Sequence, residues 1–203
     1  MFIELTDHLR CPADHDESYL VLLPERMEGR SVRSGQLGCP VCGRTYHVVD
    51  GVFQAGDPPV LPESRAATLD ADGLHALIGL GGPGGYMALV GRMAALWREI
   101  AKLNPGVALV AINPEPEVPD APEISVIRSA RIPLKARSMR SVVLGRGYAE
   151  DPFWIEEAAR VVLPGLRVVG EGSDPAEHTI DLMASAGGVW VGTAGRKRVS
   201  SER

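Results

Sequence analysis

Cysteine side chains carry the clearest chemistry in this sequence, because thiolates are preferred ligands of structural zinc. Cys39 and Cys42 are separated by two residues, and Gly43 follows them. This spacing lets both sulfur atoms grip one ion, while the glycine lets the backbone fold back toward them. The third cysteine, Cys11, lies far upstream and, like Cys39, precedes a proline. Two half-sites on separate hairpins are therefore predicted to share one metal ion.

The fourth ligand is left open between two residues that follow Cys11. Asp14 has the spacing of a second cysteine knuckle, whereas His15 is the better zinc ligand by chemistry. The predicted metal ligands are therefore Cys11, Cys39, Cys42 and His15, with Asp14 as the alternative to His15. Such a site is structural, so no catalytic residue is assigned to it.

A glycine-rich stretch at residues 79–85 is the second candidate site. Residues 75–80 read as a strand before it, and residues 86–103 have apolar side chains at helical spacing after it. Glycines between a strand and a helix allow a tight turn and a close approach of the backbone to a ligand at the helix N-terminus. This order predicts that Gly79, Gly81 and Gly82 bind a cofactor at the carboxyl end of the first strand.

Short apolar runs alternate with helical periods through the rest of the chain. Strands are predicted at residues 107–112, 124–127, 141–144, 166–169 and 189–191. Helices are predicted to begin at Asp151-Pro152 and at Asp174-Pro175, because a capping carboxylate and a proline favour the first helical turn. The alternation predicts an α/β fold with a Rossmann-like, mostly parallel sheet.

The chain divides into three regions by composition. Residues 1–56 hold all three cysteines and short alternating runs, which predict a small β-rich module. Residues 57–72 are rich in proline and form the predicted linker. Residues 73–203 form the predicted Rossmann-like domain.

Charge and hydropathy exclude some functions. The net charge of -5 gives no global attraction for nucleic acid. A local basic segment, residues 128–146, lacks acidic residues and is the one candidate for contact with nucleic acid or another anionic ligand. No window of about 18 apolar residues and no signal peptide are apparent, so we expect a cytoplasmic protein without a membrane contact.

The N-terminal module resembles the small zinc-ribbon family of methyltransferase activator subunits. The resemblance rests on Cys11-Pro12, on the segment Cys39-Pro-Val-Cys-Gly-Arg-Thr-Tyr46, and on the Asp50-Gly51 pair after a strand. It covers about 50 residues. The same stretch also resembles the zinc modules that are fused ahead of some bacterial methyltransferases. The resemblance implies a structural zinc ion and a protein partner.

The larger part resembles the class I S-adenosylmethionine-dependent methyltransferases over about 120 residues. Residues 77–86 are similar to the first motif of that family, and residues 107–115 to its second strand and ribose-binding end. Residues 129–134 are similar to the segment that holds adenine, and residues 158–169 to a helix and strand joined by Leu-Pro-Gly. The resemblance implies S-adenosylmethionine as cofactor, with Asn113 and Ser129 among the contacting residues.

The chain departs from that family at its acidic positions. Carboxylates are expected where this sequence has Ile78 or Gly79, Asn113, Ser129 or Ala130, and Arg140 or Ser141. The antiparallel seventh strand of the family is also expected to be absent. We therefore predict a catalytically degenerate, methyltransferase-like protein that acts as a binding or scaffold protein with a protein partner or as a homo-oligomer. The alternatives are an active methyltransferase with atypical cofactor contacts, and a binder of another anionic ligand.

Overall fold

A computed structural model of the protein describes residues 1–61, 69–175 and 179–194. These residues form one mixed sheet of eleven strands with helices on both faces. The first four strands are β1 (Val21–Glu28), β2 (Ser31–Gly38), β3 (Thr45–Val49) and β4 (Val52–Gln54). The helices are α1 (Ala71–Ile78), α2 (Trp97–Leu103) and α3 (Pro152–Val161). The remaining strands are β5 (Tyr86–Val90), β6 (Ala108–Ile112), β7 (Ile124–Arg128), β8 (Met139–Leu144), β9 (Val162–Glu171), β10 (Ile180–Ala186) and β11 (Val189–Ala194).

The strand order is β1-β2-β3-β4-β7-β6-β5-β8-β9-β11-β10. Strands β4 to β9 are joined by parallel pairs, whereas β1 to β4 form an antiparallel meander. Counted from β5, the order β7-β6-β5-β8-β9 is the 3-2-1-4-5 order of a Rossmann-like sheet. The α/β prediction is therefore confirmed at the level of architecture.

The expected absence of an antiparallel strand is wrong. Strand β11 lies between β9 and β10 and runs antiparallel to both. A two-glycine turn, Gly187-Gly188 with φ of 61° and 78°, joins β10 to β11. The helix predicted to begin at Asp174-Pro175 is also wrong in its described part, because residues 180–186 form strand β10. Residues 176–178 lie outside the described residues. The glycine pair favours a hairpin turn, since both residues adopt positive φ.

The predicted strand at residues 75–80 is a helix in the structure. Asp70 caps α1 by accepting a hydrogen bond from the Gly73 amide at 2.8 Å, and Gly79 ends it with a left-handed φ of 60°. Leu74 and Ile78 then face the core at the four-residue spacing of one helix face. The glycine stretch 79–85 therefore follows a helix and precedes strand β5, the reverse of the predicted order.

The predicted helix at residues 86–103 begins with strand β5 and becomes α-helical only at Trp97. A central parallel strand is apolar on both faces, so its sequence lacks the alternation that identifies a half-buried strand. Met87 to Val90 are all buried, and a 3-10 segment from Gly91 to Leu96 connects the strand to α2. The apolar spacing therefore continues through three different elements.

Two apolar cores cover the two faces of the sheet. Helices α1 and α2 pack on one face, where Leu74, Trp97 and Ile100 meet residues of β5 to β7. Helix α3 packs on the other face. The same second core includes Leu5, Leu9, Cys11, Cys39 and Phe53 from the first quarter of the chain. Hydrophobic burial thus joins the cysteine region to the Rossmann-like sheet.

The boundary between the predicted module 1–56 and domain 73–203 is bridged by a parallel strand pair. Val52, Phe53 and Gln54 of β4 pair with Val126 to Arg128 of β7. A second tie is the ion pair of Arg33 with Asp120, at 2.9 Å. Of the predicted linker 57–72, the last two residues are the first turn of α1, and residues 62–68 lie outside the described ranges. Within those ranges, none of the helices has the length and apolar composition needed to cross a membrane.

Candidate metal centre and the carboxyl edge of the sheet

The side chains of Cys11, His15, Cys39 and Cys42 converge on one point at the edge of the N-terminal meander. Their four ligand atoms all lie within 4.8 Å of one another. The Sγ atoms of Cys11 and Cys42 are 3.8 Å apart, and Nε2 of His15 is 3.4 Å from Sγ of Cys39. The structure brings together the predicted set with His15, and Asp14 is not part of this group.

Backbone turns bring the four residues together. The Gly43 amide donates to the Cys39 carbonyl at 3.0 Å, and Gly43 has a left-handed φ of 69°. This is the conformation in which a side chain is strained, so the glycine serves the turn. The amide of Cys39 also donates to the Arg44 carbonyl at 2.9 Å. Cys39 and Cys42 consequently lie on one tight turn, with both sulfur atoms on its inner side.

The distances within the cluster fit a tetrahedral zinc ion. Zn–S bonds of about 2.3 Å and Zn–N bonds of about 2.0 Å place tetrahedral ligands roughly 3.5 to 3.8 Å apart. The two measured separations, 3.8 Å and 3.4 Å, are close to that range, and three sulfur atoms with one imidazole are a common structural zinc set. The hydroxyl of Tyr46 lies 3.3 Å from Sγ of Cys11, where it can orient that ligand.

The electrostatics of the cluster favour a thiolate at Cys39. Burial alone would raise the pKa of Cys39, but hydrogen bonds from the backbone amides of Cys42 and Val41 outweigh it and lower that pKa to about 6. Burial raises the pKa of Cys11. The carbonyl of Asp16, 2.6 Å from Nδ1 of His15, raises the histidine pKa and directs Nε2 toward the sulfur atoms. One anionic ligand is thus prepared without a metal.

The loop between Cys11 and β1 is anchored on the Rossmann-like half. Its Glu17 carboxylate accepts a hydrogen bond from the Ala136 amide at 2.8 Å and forms an ion pair with Arg160 at 3.3 Å. The preceding residue, Arg10, donates its amide to the Pro133 carbonyl at 2.9 Å. Segment 131–136 therefore carries the cysteine loop on one side and α3 on the other.

Glu157 of α3 is the buried acid beneath that segment, with 4% of its surface exposed. Its carboxylate pairs with Arg131 and Arg160, each at 2.9 Å, and accepts the Ile132 amide at 3.2 Å. Burial would raise the pKa of Glu157, but the hydrogen bonds from the two arginines outweigh it and hold that pKa below its usual 4.5. Sequence reasoning missed this residue, because a glutamate on an amphipathic helix normally faces water.

The three predicted cofactor glycines lie at the amino end of β5, away from the carboxyl edge. Arg140 organises their loop by donating Nη1 to the carbonyls of Gly82, Pro83 and Gly84 and Nη2 to the carbonyl of Gly81, at 2.7 to 3.2 Å. The loop therefore presents oxygen atoms inward to a cation. A phosphate site needs the opposite orientation, with amide groups pointing inward. The predicted position of Gly79, Gly81 and Gly82 at the carboxyl end of the first strand is therefore wrong.

Asn113 and Ser129 do lie at the carboxyl edge, immediately after β6 and β7. They bond to each other: Nδ2 of Asn113 donates to the Ser129 carbonyl at 2.7 Å, and the Ser129 amide donates to Oδ1 of Asn113 at 2.8 Å. Both residues are buried. The two positions that were predicted to contact a cofactor thus use their polar groups to fasten neighbouring strand ends.

Gly91 is the glycine that follows the first parallel strand, and sequence reasoning missed it. Its φ is 65°, and a Cβ there would lie 2.7 Å from Cε2 of Tyr148. Tyr148 is 7% exposed, and burial raises the pKa of its hydroxyl, opposed by a hydrogen bond with the Asn113 side chain. The available signal was the lone glycine after the apolar run at residues 86–90, which the glycine-rich stretch upstream obscured.

Two arginines of the basic segment 128–146 make contacts within the protein. Arg131 binds Glu157, and Arg140 binds the carbonyls of the glycine loop. Lys135 and Arg137 are exposed at the turn that leads into β8. The segment therefore supplies structural contacts at two of its arginines.

No known family model matches the chain, and no curated protein matches it. Several solved structures share parts of its fold. An antibiotic-resistance methyltransferase, Kmr, is 12% identical over 64% of this chain and 95% of its own, with a TM-score of 0.43. A candidate methyltransferase from an antibiotic biosynthesis pathway of Anabaena variabilis is 14% identical over 49% of this chain, with a TM-score of 0.41; the chain spans 43% of that protein.

A complex between a methyltransferase activator and a candidate methyltransferase from Haloferax volcanii also shares the fold in part. It is 18% identical over 49% of this chain and 50% of the matched chain, with a TM-score of 0.38. The chain therefore spans half or less of the length of two of these three proteins.

Proposed function

We propose that this chain is a methyltransferase-like protein with a structural zinc centre, that it does not use S-adenosylmethionine, and that it acts by binding a protein partner. The single observation that carries the proposal is the closed carboxyl edge. Ligands of open α/β sheets bind outside the carboxyl ends of the strands, where the strand order reverses. Here that place, between β5 and β8, holds the ring of Tyr148 on the backbone of Gly91.

A comparison of the hydrogen-bond acceptors that S-adenosylmethionine needs with those at the strand ends supports the same conclusion. The ribose and ammonium groups of S-adenosylmethionine donate hydrogen bonds, so a pocket must offer acceptors, of which carboxylates are the strongest. The strand ends of β5, β6 and β7 offer Gly91, Asn113 and Ser129, and the last two already bond to each other. Glu115, the nearby acid that could replace one acceptor, is exposed on the loop after β6.

The zinc centre supports a structural and not a catalytic role for the N-terminal region. A catalytic zinc site keeps an open position for water or substrate, whereas a structural site uses four protein ligands. Four ligand atoms converge here, and Tyr46 lies beside one of them. In this proposal zinc holds the loop that carries Glu17 and the turn that carries Cys39 and Cys42, so that the meander keeps its shape.

An exposed apolar row on β1 and the segment just before it offers a surface for protein contact. Tyr19, Val21 and Leu23 are 58%, 54% and 65% exposed and alternate along the chain, so they share one face. Strand β1 is at one edge of the sheet, so its outer backbone groups have no partner strand among the described residues. Apolar side chains beside an open edge are typical of surfaces that receive another protein.

The test of this proposal is a calorimetric titration of the zinc-loaded protein with S-adenosylmethionine and with S-adenosylhomocysteine. We expect no binding, or a dissociation constant weaker than about 10 micromolar, which corresponds to roughly 7 kcal/mol. Size-exclusion chromatography with light scattering on the same sample reports whether the contact surface is used by a second copy of the chain.

A tighter dissociation constant would overturn the proposal and favour the alternative, an active methyltransferase with atypical cofactor contacts. In that case Asn113→Ala should weaken the cofactor by about tenfold, since one hydrogen bond to a charged or polar ligand contributes on the order of 1 to 3 kcal/mol. The matched control is Gly81→Ala, whose added Cβ meets no atom within 4 Å. Equal loss in both variants would indicate a general effect on folding.

A further inference from the structure

The carboxyl ends of β5 and β8 lie where the ligand of an open α/β sheet binds, and we call this place the carboxyl-edge crevice. Its floor is formed by backbone. Gly91 follows β5 and Gly145 follows β8, and the Gly145 amide donates to the Val90 carbonyl at 3.1 Å. A Cβ on Gly145 would lie 3.0 Å from that same carbonyl oxygen. The two strand ends therefore approach each other closely without side chains, so a ring can lie directly against their backbone.

Tyr148 is the planar group on that surface. Its ring lies so close to Gly91 that a Cβ there would be 2.7 Å from Cε2 and 2.9 Å from Cδ2. Its other side meets Trp154 edge-on, with ring centroids 4.6 Å apart at 79°. At its polar end the hydroxyl faces the Asn113 side chain, which opposes the rise in the pKa of Tyr148 caused by burial. An aromatic ring with one polar substituent thus fills a slot between a backbone floor and an amide.

The segment that carries Tyr148 has the features of a hinge. Gly145 and Gly147 flank Arg146, and Gly147 has a φ of 85° immediately before the 3-10 turn from Tyr148 to Glu150. Two glycines within three residues allow large changes in φ and ψ at small steric cost. On the other side of Gly147 lies Leu61, whose Cδ1 would be 3.3 Å from an added Cβ.

We propose that Tyr148 is a hinged, intramolecular occupant of the carboxyl-edge crevice, and that displacing it opens a site for a planar ligand with a hydrogen-bonding substituent. This inference rests on the proposed function, because it names the residue that keeps the crevice closed. In the closed form the Tyr148 ring occupies the slot and its hydroxyl faces Asn113. In the open form the turn from Gly145 to Gly147 swings outward, and the floor at Gly91 becomes available together with the one Nδ2 hydrogen of Asn113 that Ser129 does not use.

The test compares ligand binding in variants that remove or unsettle the occupant. Tyr148→Ala removes the ring, and Gly147→Ala keeps the ring but places a side chain at a φ of 85°. The control is Phe53→Ala, which deletes an equally buried ring from β4, away from the crevice. The probe is S-adenosylhomocysteine, followed by calorimetry and by thermal melting.

We expect Tyr148→Ala to bind the probe at least tenfold more tightly than the unmodified chain, Gly147→Ala to bind with a smaller gain, and Phe53→Ala to show no gain. If Tyr148→Ala does not fold, the gain in Gly147→Ala decides the question. Absence of any gain in the folded variants, or an equal gain in Phe53→Ala, would overturn the inference. Tight binding by the unmodified chain would instead overturn the proposed function, so the two failures give different results.

Discussion

The cluster of Cys11, His15, Cys39 and Cys42 differs from the carboxyl edge of the sheet in how its polar side chains are directed. In the cluster, three sulfur atoms and one imidazole nitrogen face a common point. At the carboxyl edge, Asn113 bonds the backbone of Ser129 in both directions, and Tyr148 fills the adjacent space. The first arrangement surrounds a point that a metal ion would fill, whereas at the second the chain itself fills the space.

This difference teaches where ligand binding would change the stability of the protein. A ligand stabilises the folded state only to the extent that it binds better there than in the unfolded chain. Converging donors gain from an ion, because thiolates held together without one repel each other. Polar groups that are already paired gain little, because a ligand would first have to break their bonds.

The largest expected effect is that of metal removal. Structural zinc contributes on the order of 10 kcal/mol in zinc-finger peptides, which is comparable with the whole folding free energy of a domain, about 5–15 kcal/mol. We expect purified protein to hold one zinc ion per chain by elemental analysis, and Cys39→Ser or a strong chelator to lower the melting temperature of the entire chain in a single transition. The shared core and the β4–β7 pair make the two regions one cooperative unit.

The control for that prediction is Asp14→Ala, which leaves the four ligand atoms in place and should keep the zinc content of the unmodified chain. Loss of zinc in Asp14→Ala would show that Asp14, and not His15, is the fourth ligand. Two separate melting transitions after chelation, with the second unchanged, would show that residues 1–56 fold as an independent module and would sharpen the division of the chain.

An intermediate effect is expected for the acid that joins the two regions. Glu157→Gln removes one charge from a buried group whose arginine partners are 31% exposed, so we expect a loss of about 2 kcal/mol in the free energy of unfolding. Because the pKa of Glu157 is lowered on folding, its contribution is complete above the usual carboxyl pKa of 4.5 and is lost as pH falls through the lower, folded value. Urea unfolding of both proteins across this range measures the effect; a difference that does not shrink at acidic pH would contradict it.

The smallest expected effect separates two glycines. Gly91→Ala places a Cβ against the Tyr148 ring at a φ of 65°, so we expect a loss of about 1 kcal/mol in the free energy of unfolding. Gly81→Ala adds a Cβ with no atom within 4 Å, and we expect a change within about 0.5 kcal/mol. Thermal melting of the two variants gives the comparison. Equal losses would mean that the glycine stretch is as constrained as the carboxyl edge.

The three cysteines could be predicted to lie together, because few residue types other than cysteine and histidine suit a structural zinc ion. Cys39 and Cys42 lie on one turn, so their spacing alone brings both sulfur atoms together. The choice between Asp14 and His15 needed the structure, because both are close enough in sequence to Cys11. Only the folded loop, with the Asp16 carbonyl on Nδ1, directs Nε2 of His15 into the cluster.

The position of the glycine stretch was predicted wrongly, because glycine serves several backbone conformations. Gly79 ends a helix, and the carbonyl groups that follow it accept hydrogen bonds from Arg140 at the amino end of β5, not at its carboxyl end. The strand β5 was read as part of a helix, because a strand buried on both faces has no alternation to identify it. Residues 180–186 were read as a helix, although the two glycines after them indicated a hairpin.

The sequence by itself predicted the cluster of Cys11, His15, Cys39 and Cys42, with Asp14 as the alternative to His15, the α/β class, and the strands at residues 107–112 and 124–127. The turn from Cys39 to Cys42 and the strands depend on spacing and periodicity within a few residues, which local physics fixes, and the pairing of Cys11 with that turn was inferred from the chemistry of zinc ligands. The tertiary structure alone decided which glycine meets the crevice, what fills it, and that β4 joins β7. Those outcomes depend on contacts between residues more than fifty positions apart, such as Gly91 with Tyr148 and Val52 with Val126, and no local pattern records which distant side chain will occupy a given space.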